Sequence, residues 1–175
     1  NVRPLHFVPQ VYTLSWVSAD KRKLFYDALS KTPEKITIYI TGWGVWTVPN
    51  GKDLAIVKNE LKRPAAWWWN YPCNDNADGQ LYLSDMYYNF YEMPAVDGNA
   101  KLPVALTNGL GVVANPMQEG EVSKIALFSV ADYAWNNAGF DNSKSWNASF
   151  KMILSTQEKQ EAYKTIIPYL RWNDA

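Results

Sequence analysis

Ala65-Ala66-Trp67-Trp68-Trp69-Asn70-Tyr71-Pro72-Cys73-Asn74-Asp75 is the stretch on which the fold turns. Its first five residues are apolar and aromatic, the composition of a short buried strand. Pro72 closes the run, and Asn70 to Gln80 is dense in Asn, Asp and Gly and therefore irregular. Side chains alternate along a strand, so Trp67 and Trp69 share one face and Trp68 takes the other. One face belongs to the sheet interior, so at least one indole lines a pocket. Asp75 taken alone sits among turn formers that bond their own backbone. Its place just beyond a strand end is what makes it a candidate ligand-binding group.

Similar strand ends recur on either side. Leu5-His6-Phe7-Val8 reads as a buried strand stopped by Pro9, with Tyr12 in the loop beyond. Ile36 to Ile40 is β-branched and aromatic, a clear strand. A Gly-rich loop, Thr41-Gly42-Trp43-Gly44-Val45-Trp46, follows it. Leu110 to Ala114 reads as a fourth strand ended by Pro116. Helical spacing of apolar residues predicts helices over 19–29, 52–61 and 121–135, then over 144–154 and 156–170, with Pro168 ending or kinking the last. The 121–135 helix is apolar around most of its circumference and is expected to be buried. Residues 81–88 read as partly extended, and 97–101 as a turn.

Strands alternating with helices mean parallel strands joined by crossover helices. In such folds ligands bind just beyond the strand C-termini. The aromatic and amide clusters lie there. Asn115 follows the fourth strand, where its side chain either caps the next helix or meets a ligand. Two parts are expected: residues 1–140, an α/β unit, and residues 141–175, which are purely helical.

Composition narrows the function. Lysine plus arginine and aspartate plus glutamate each total 17, so the formal charge is zero. That excludes the electrostatic footprint of a nucleic-acid binder and a polybasic membrane anchor. No apolar run is long enough to span a bilayer. One cysteine and one histidine exclude a Cys/His zinc site and a disulfide within the chain. Gly109 to Ala114 formally matches a dinucleotide fingerprint, but a strand rather than a helix follows the glycines. No cofactor and no metal are expected. Aromatic residues make up 15% of the chain. Core packing is the ordinary use of any one of them. Set among Asn, Asp and Gly in loops, they suit a sugar, whose apolar face stacks on rings while its hydroxyls meet amides and carboxylates. Glycosidases work with carboxyl groups flanking the scissile bond. No Asp-Asp, Asp-x-Glu or Glu-x-Asp pair follows a strand in this sequence.

These motifs resemble glycoside hydrolase family 84, the β-N-acetylglucosaminidases that include bacterial hyaluronidases and O-GlcNAcases. Trp68-Trp69-Asn70-Tyr71-Pro72-Cys73-Asn74-Asp75 is similar to the family's W-W-N-[YF]-P-x-x-D segment. Val113-Ala114-Asn115-Pro116-Met117, with Ser123 to Asn136, resembles its N-P-M and S-K-I-A … V-A-D-Y-x-W-N segments. Phe7-Val8-Pro9 with Tyr12, and Ile40-Thr41-Gly42, are shorter matches in the same order. Together they span roughly residues 3–154.

The resemblance implies an α/β fold: the second half, strands five to eight, of a TIM (β/α)8 barrel, followed by the first helices of a helical region. At 175 residues the chain is too short for a whole barrel, which takes about 250. It implies a glycosidase acting on glycans with terminal β-linked N-acetylglucosamine, retaining and substrate-assisted. Asn70, Asp75 and Asn115 would hydrogen-bond the sugar, Trp68 would wall the acetamide pocket, and Tyr12 would contact the reacting acetamide. The catalytic Asp pair would lie upstream of Asn1, leaving the chain inactive alone. A bacterial, secreted or cell-surface parent is expected. Half-barrels with unpaired edges could self-associate. The competing expectation is a non-catalytic carbohydrate-binding or interaction module. The sequence departs from the family at Asn76, where Tyr is common, in the Trp43–Trp46 loop, and in the aromatic stretch 81–90.

Overall fold

In a computed structural model, residues 3–75, 81, 85, 109–136 and 138–170 are described. Asn76, most of the 81–90 stretch and the turn expected at 97–101 lie outside the described residues. The chain divides into two compact units: Asn1–Trp69 with Lys101–Val113, and Asn70–Ala100 with Ala114–Ala175.

The first unit is built on a sheet of four strands in the order β1-β2-β3-β4. They are β1 (Leu5–Phe7), β2 (Ile36–Ile40), β3 (Ala66–Trp69) and β4 (Val112–Ala114), whose last residue opens the second unit. β1 runs parallel to β2 with Leu5 opposite Ile36, and β2 runs parallel to β3 with Tyr39 opposite Ala66. The Trp67 N–H donates to Gly111 O at 2.9 Å, and the Leu110 N–H to Ala65 O at 3.1 Å, joining the fourth strand's approach to β3. Helices α1 (Ala19–Leu29) and α2 (Gly51–Leu61) pack on each other. Ile38, Ile40, Leu54, Val57, Leu61, Tyr26 and Trp67 form the core.

Local chemistry sets the ends of these elements. Asn50 caps α2, its side chain accepting from the Asp53 N–H at 2.9 Å and satisfying one orphan donor of the first turn. Lys62 closes α2 in the left-handed region at φ 62°. The Arg63 guanidinium donates to the carbonyls of Thr32, Pro33 and Ile36, tying the turn before β2 to the end of α2.

The expectation of a buried first strand is corrected. Leu5 is 58% and Phe7 42% exposed. A strand is buried by what covers its two faces and both its edges, and among the described residues only β2 pairs with β1. The composition of the run is right for a strand, but composition does not show how many neighbours a strand has. The strands read at 65–69 and 110–114 are shorter, at 66–69 and 112–114.

The second unit is helical: α3 (Gly120–Trp135), α4 (Asn142–Ile153) and α5 (Gln157–Leu170). α3 packs on α4 and α4 on α5. Ser123, Ala126 and Ser129 of α3 and Ser145 and Ser149 of α4 are buried, and the Ser145 and Ser129 hydroxyls are 3.3 Å apart. Small residues on both helices let their backbones approach closely. Tyr133 meets Phe140 edge-on at 5.4 Å, and Trp146 meets Phe150 edge-on at 5.3 Å. The burial expected of α3 holds on one face, while Trp135 at its end is 91% exposed. Asp141 caps α4 by accepting from the Lys144 N–H at 2.9 Å, a bond that also lowers its carboxyl pKa. Pro168 does not end α5, which runs on to Leu170. No helix among the described residues is long and apolar enough to cross a membrane.

Candidate active site

The candidate residues lie in the loops beyond the strand ends, where ligands bind in folds of this order. In the first unit, the loop after β1 runs beside the loop after β2. The Thr41 N–H donates to Tyr12 O at 2.9 Å, the Leu14 N–H to Gly42 O at 2.8 Å, and the Ser15 N–H to Trp43 O at 3.0 Å. Tyr12 is thereby held by its own carbonyl. Its ring meets that of Trp16 edge-on at 4.6 Å, and both side chains stay partly open to solvent. The Trp43 N–H donates to the buried Asp53 carboxylate at 2.7 Å, which anchors the second loop to the start of α2. Trp67 and Trp69 are buried and Trp68 half-buried on the opposite face, as strand alternation requires.

In the second unit, three expected binding residues form one connected group. The Asn115 amide Nδ2 donates to Asn70 Oδ1 at 2.9 Å and to Cys73 Sγ at 3.4 Å. The Cys73 thiol donates in turn to Asp75 Oδ1 at 3.3 Å. Asn115 is therefore not a helix cap, the alternative its position allowed; α3 starts later, behind Glu119. Glu119 instead accepts from the buried Asn74 amide at 3.2 Å, fastening the loop beyond β3 to the start of α3. The Tyr71–Pro72 peptide bond is cis.

Cys73 was not singled out by its sequence context. A lone cysteine carries no signal by type, and its partner Asn115 is 42 residues away in sequence. The spacing Asn70-x-x-Cys73-x-Asp75 was the one available hint, since it brings three polar groups into one turn. Tyr12 and Trp68 belong to the first unit, and Asn70, Asp75 and Asn115 to the second.

Burial pushes the Cys73 thiol up to about 11, because a thiolate loses hydration there and faces the Asp75 carboxylate. Cys73 is thus a hydrogen donor rather than a nucleophile. Its folded pKa lies above the ordinary 9.0, so its contribution to stability is complete below pH 9.0 and is lost as pH rises toward about 11. Alkylation by iodoacetamide at about pH 8 is expected to be at least roughly tenfold slower than for an exposed thiol. Asp75→Asn is expected to speed it by removing the opposing charge. A labelling rate equal to that of free cysteine would show that the thiol is neither buried nor held.

Chemically, the group offers an exposed carboxylate and two oriented amides. With its amide nitrogen donating to both Asn70 and Cys73, the Asn115 side chain can still offer its carbonyl oxygen as an acceptor. Acceptors of this kind suit sugar hydroxyls and amide N–H groups.

The chain belongs to the beta-N-acetylglucosaminidase family, whose sequence profile matches residues 1–167. Its fold is similar to solved catalytic domains of that class. CpGH84D shares 31% identity at a TM-score of 0.71, over 93% of this chain and 25% of that one. CpGH84B shares 28% at 0.71, over 95% of this chain and 28% of that one. An aspartate-to-asparagine variant of the Thermobaculum terrenum O-GlcNAc hydrolase shares 21% at 0.68, over 92% and 32%, a likeness of fold alone. The chain thus spans between 25% and 32% of the length of these structures. The family resemblance carried by the sequence motifs is borne out, together with the α/β class.

Proposed function

We propose that the protein to which these residues belong is a glycoside hydrolase that removes terminal β-linked N-acetylglucosamine with retention of configuration. The observation that carries this reading is the hydrogen-bonded group Asn70–Asn115–Cys73–Asp75, built from the segments that match the family motifs. Asp75 accepts hydrogen bonds from ring hydroxyls. Asn70 and Asn115 bind the sugar around its acetamide, Trp68 walls the acetamide, and Tyr12 contacts its reacting oxygen. In the substrate-assisted route the acetamide oxygen attacks the anomeric carbon while an acid protonates the leaving oxygen. Water then attacks the anomeric carbon from the face the leaving group vacated, giving its proton to the same residue and displacing the acetamide oxygen. Two displacements retain the configuration.

The acid and the group that polarises the acetamide are carboxylates supplied upstream of these residues. The four strands are then strands five to eight of a (β/α)8 barrel. Two facts support this placement: no carboxylate pair follows a strand here, and the chain covers 25% to 32% of the matched structures.

The test compares the full-length parent with the isolated 175 residues on 4-nitrophenyl β-N-acetylglucosaminide and on the matching β-glucoside. Turnover is expected from the parent alone, and on the acetamido sugar alone. Equal turnover by the isolated residues would overturn the division of the site. Equal turnover of the glucoside would overturn substrate assistance.

A further inference from the structure

Arg22 is a charged side chain buried at 7% exposure, on α1 rather than in any loop of the site. Its Nε donates to Glu60 Oε2 and its Nη2 to Glu60 Oε1, both at 2.7 Å, a two-pronged pair that bridges α1 and α2. That bond raises the guanidinium pKa above its ordinary value, against the opposing effect of burial. The remaining arm, Nη1, donates to Leu14 O at 2.6 Å. Burying a charged pair is costly, and apolar side chains of the same volume often stabilise a helix contact as well or better. Helix packing alone does not explain why a charged fork stands here.

The third contact does. Leu14 is two residues beyond Tyr12, and its N–H is already bound to Gly42 O at 2.8 Å. Tyr12 O receives the Thr41 N–H at 2.9 Å. The short run from Tyr12 to Leu14 is therefore fastened to the β2 loop on one side and to the α1–α2 pair on the other. Glu60 fixes the plane of the guanidinium, and the guanidinium fixes the Leu14 carbonyl. Turning the guanidinium away from that carbonyl would also break its paired bonds to Glu60.

We propose that Arg22, oriented by Glu60, is a positioning residue for Tyr12, setting the reach of the Tyr12 ring through the Leu14 peptide. This inference rests on the reading of Tyr12 as a contact of the reacting acetamide. A displacement of about 1 Å at such a contact is enough to slow a reaction roughly a hundredfold. Lysine at position 22 keeps the charge but cannot hold Glu60 with two bonds and Leu14 with a third in one plane.

The experiment is a double-mutant cycle in the full-length parent, with Arg22→Lys, Tyr12→Phe and the double variant assayed on 4-nitrophenyl β-N-acetylglucosaminide. Glu60→Gln, nearly the same shape as glutamate, serves as a milder second variant. Arg22→Lys is expected to lower kcat about tenfold and change KM less than about twofold. In the Tyr12→Phe background the same change is expected to lower kcat less than about twofold, because the contact it served is gone. Amide exchange at Leu14 and Ser15 is expected to quicken about tenfold in Arg22→Lys, and less in Glu60→Gln.

Equal fold-losses of kcat in both backgrounds would mean a purely structural role and overturn the inference, leaving the glycosidase reading intact. Unchanged exchange at Leu14 would overturn it independently of any assay. Absence of turnover by the wild-type parent would overturn the glycosidase reading, and the inference with it.

Discussion

Replacing Gly42 by alanine is expected to destabilise the protein by about 2–6 kcal/mol. Two independent causes act at that position. Gly42 has φ +85°, in the left-handed region where a side chain is strained, which costs about 1–3 kcal/mol. A Cβ there would also lie 2.5 Å from Trp67 Cη2 and 2.8 Å from Asp53 Oδ2. Neither neighbour can retreat. Trp67 is fully buried at the centre of the sheet, and Asp53 is held by the Trp43 N–H and by Asn50. Forcing them apart adds overpacking of about 1–3 kcal/mol.

Gly111→Ala is the control. Its φ is +109°, but a Cβ there meets nothing within 4 Å, so only the backbone part remains. Denaturant unfolding followed by tryptophan fluorescence measures both. A Gly42→Ala loss no larger than that of Gly111→Ala would show that the crowding against Trp67 is not real. The same strain bears on function, because Gly42 O receives the Leu14 N–H of the Tyr12 loop.

The contrast between Gly42 and Arg22 shows what a linear sequence reveals. Thr41-Gly42-Trp43 is recognisable as a loop because glycine after a β-branched strand is local information. That the indole 25 residues later closes on this glycine is not local, and nothing in Trp67-Trp68-Trp69 shows which ring does it. Strand β2 is plain from Ile36-Thr37-Ile38-Tyr39-Ile40, since period-two alternation and β-branching act on the strand itself. The exposure of Leu5 and Phe7 was not, because burial belongs to neighbours and not to the run.

The site divides in the same way. Asn70, Asp75 and Asn115 were legible as candidates from their motifs, which is knowledge of a family rather than of forces. That Asn115 meets Asn70 and Cys73 across more than 40 residues of sequence required the fold. Arg22 looks in sequence like any helix-surface arginine in Lys21-Arg22-Lys23. Its burial comes from Glu60, 38 residues on, and from a loop carbonyl that no pattern of residue types can display.

Asp75→Ala in the full-length parent is expected to lower kcat/KM on 4-nitrophenyl β-N-acetylglucosaminide by about a hundredfold to ten-thousandfold. A carboxylate accepting from a sugar hydroxyl contributes about 1.5–3 kcal/mol per hydrogen bond, and two such bonds give a loss of that order. Stability should move by less than about 0.5 kcal/mol, because Asp75 is exposed and a surface substitution of this kind rarely does more. The thiol of Cys73 loses its acceptor but keeps the Asn115 amide as a donor, and the loop keeps its bonds between Asn70 and Asn115 and between Asn74 and Glu119. Asp75→Asn separates charge from shape: it keeps one carbonyl acceptor and should recover part of the loss. If the bond to the sugar is equally strong in ground and transition states, the change appears in KM; if it tightens as the ring flattens, it appears in kcat. A loss of less than about fivefold in the alanine variant would remove Asp75 from the sugar contacts. A large loss accompanied by an equally large fall in stability would instead make Asp75 a support of the Asn70–Asn115 amides, acting on the sugar only through them.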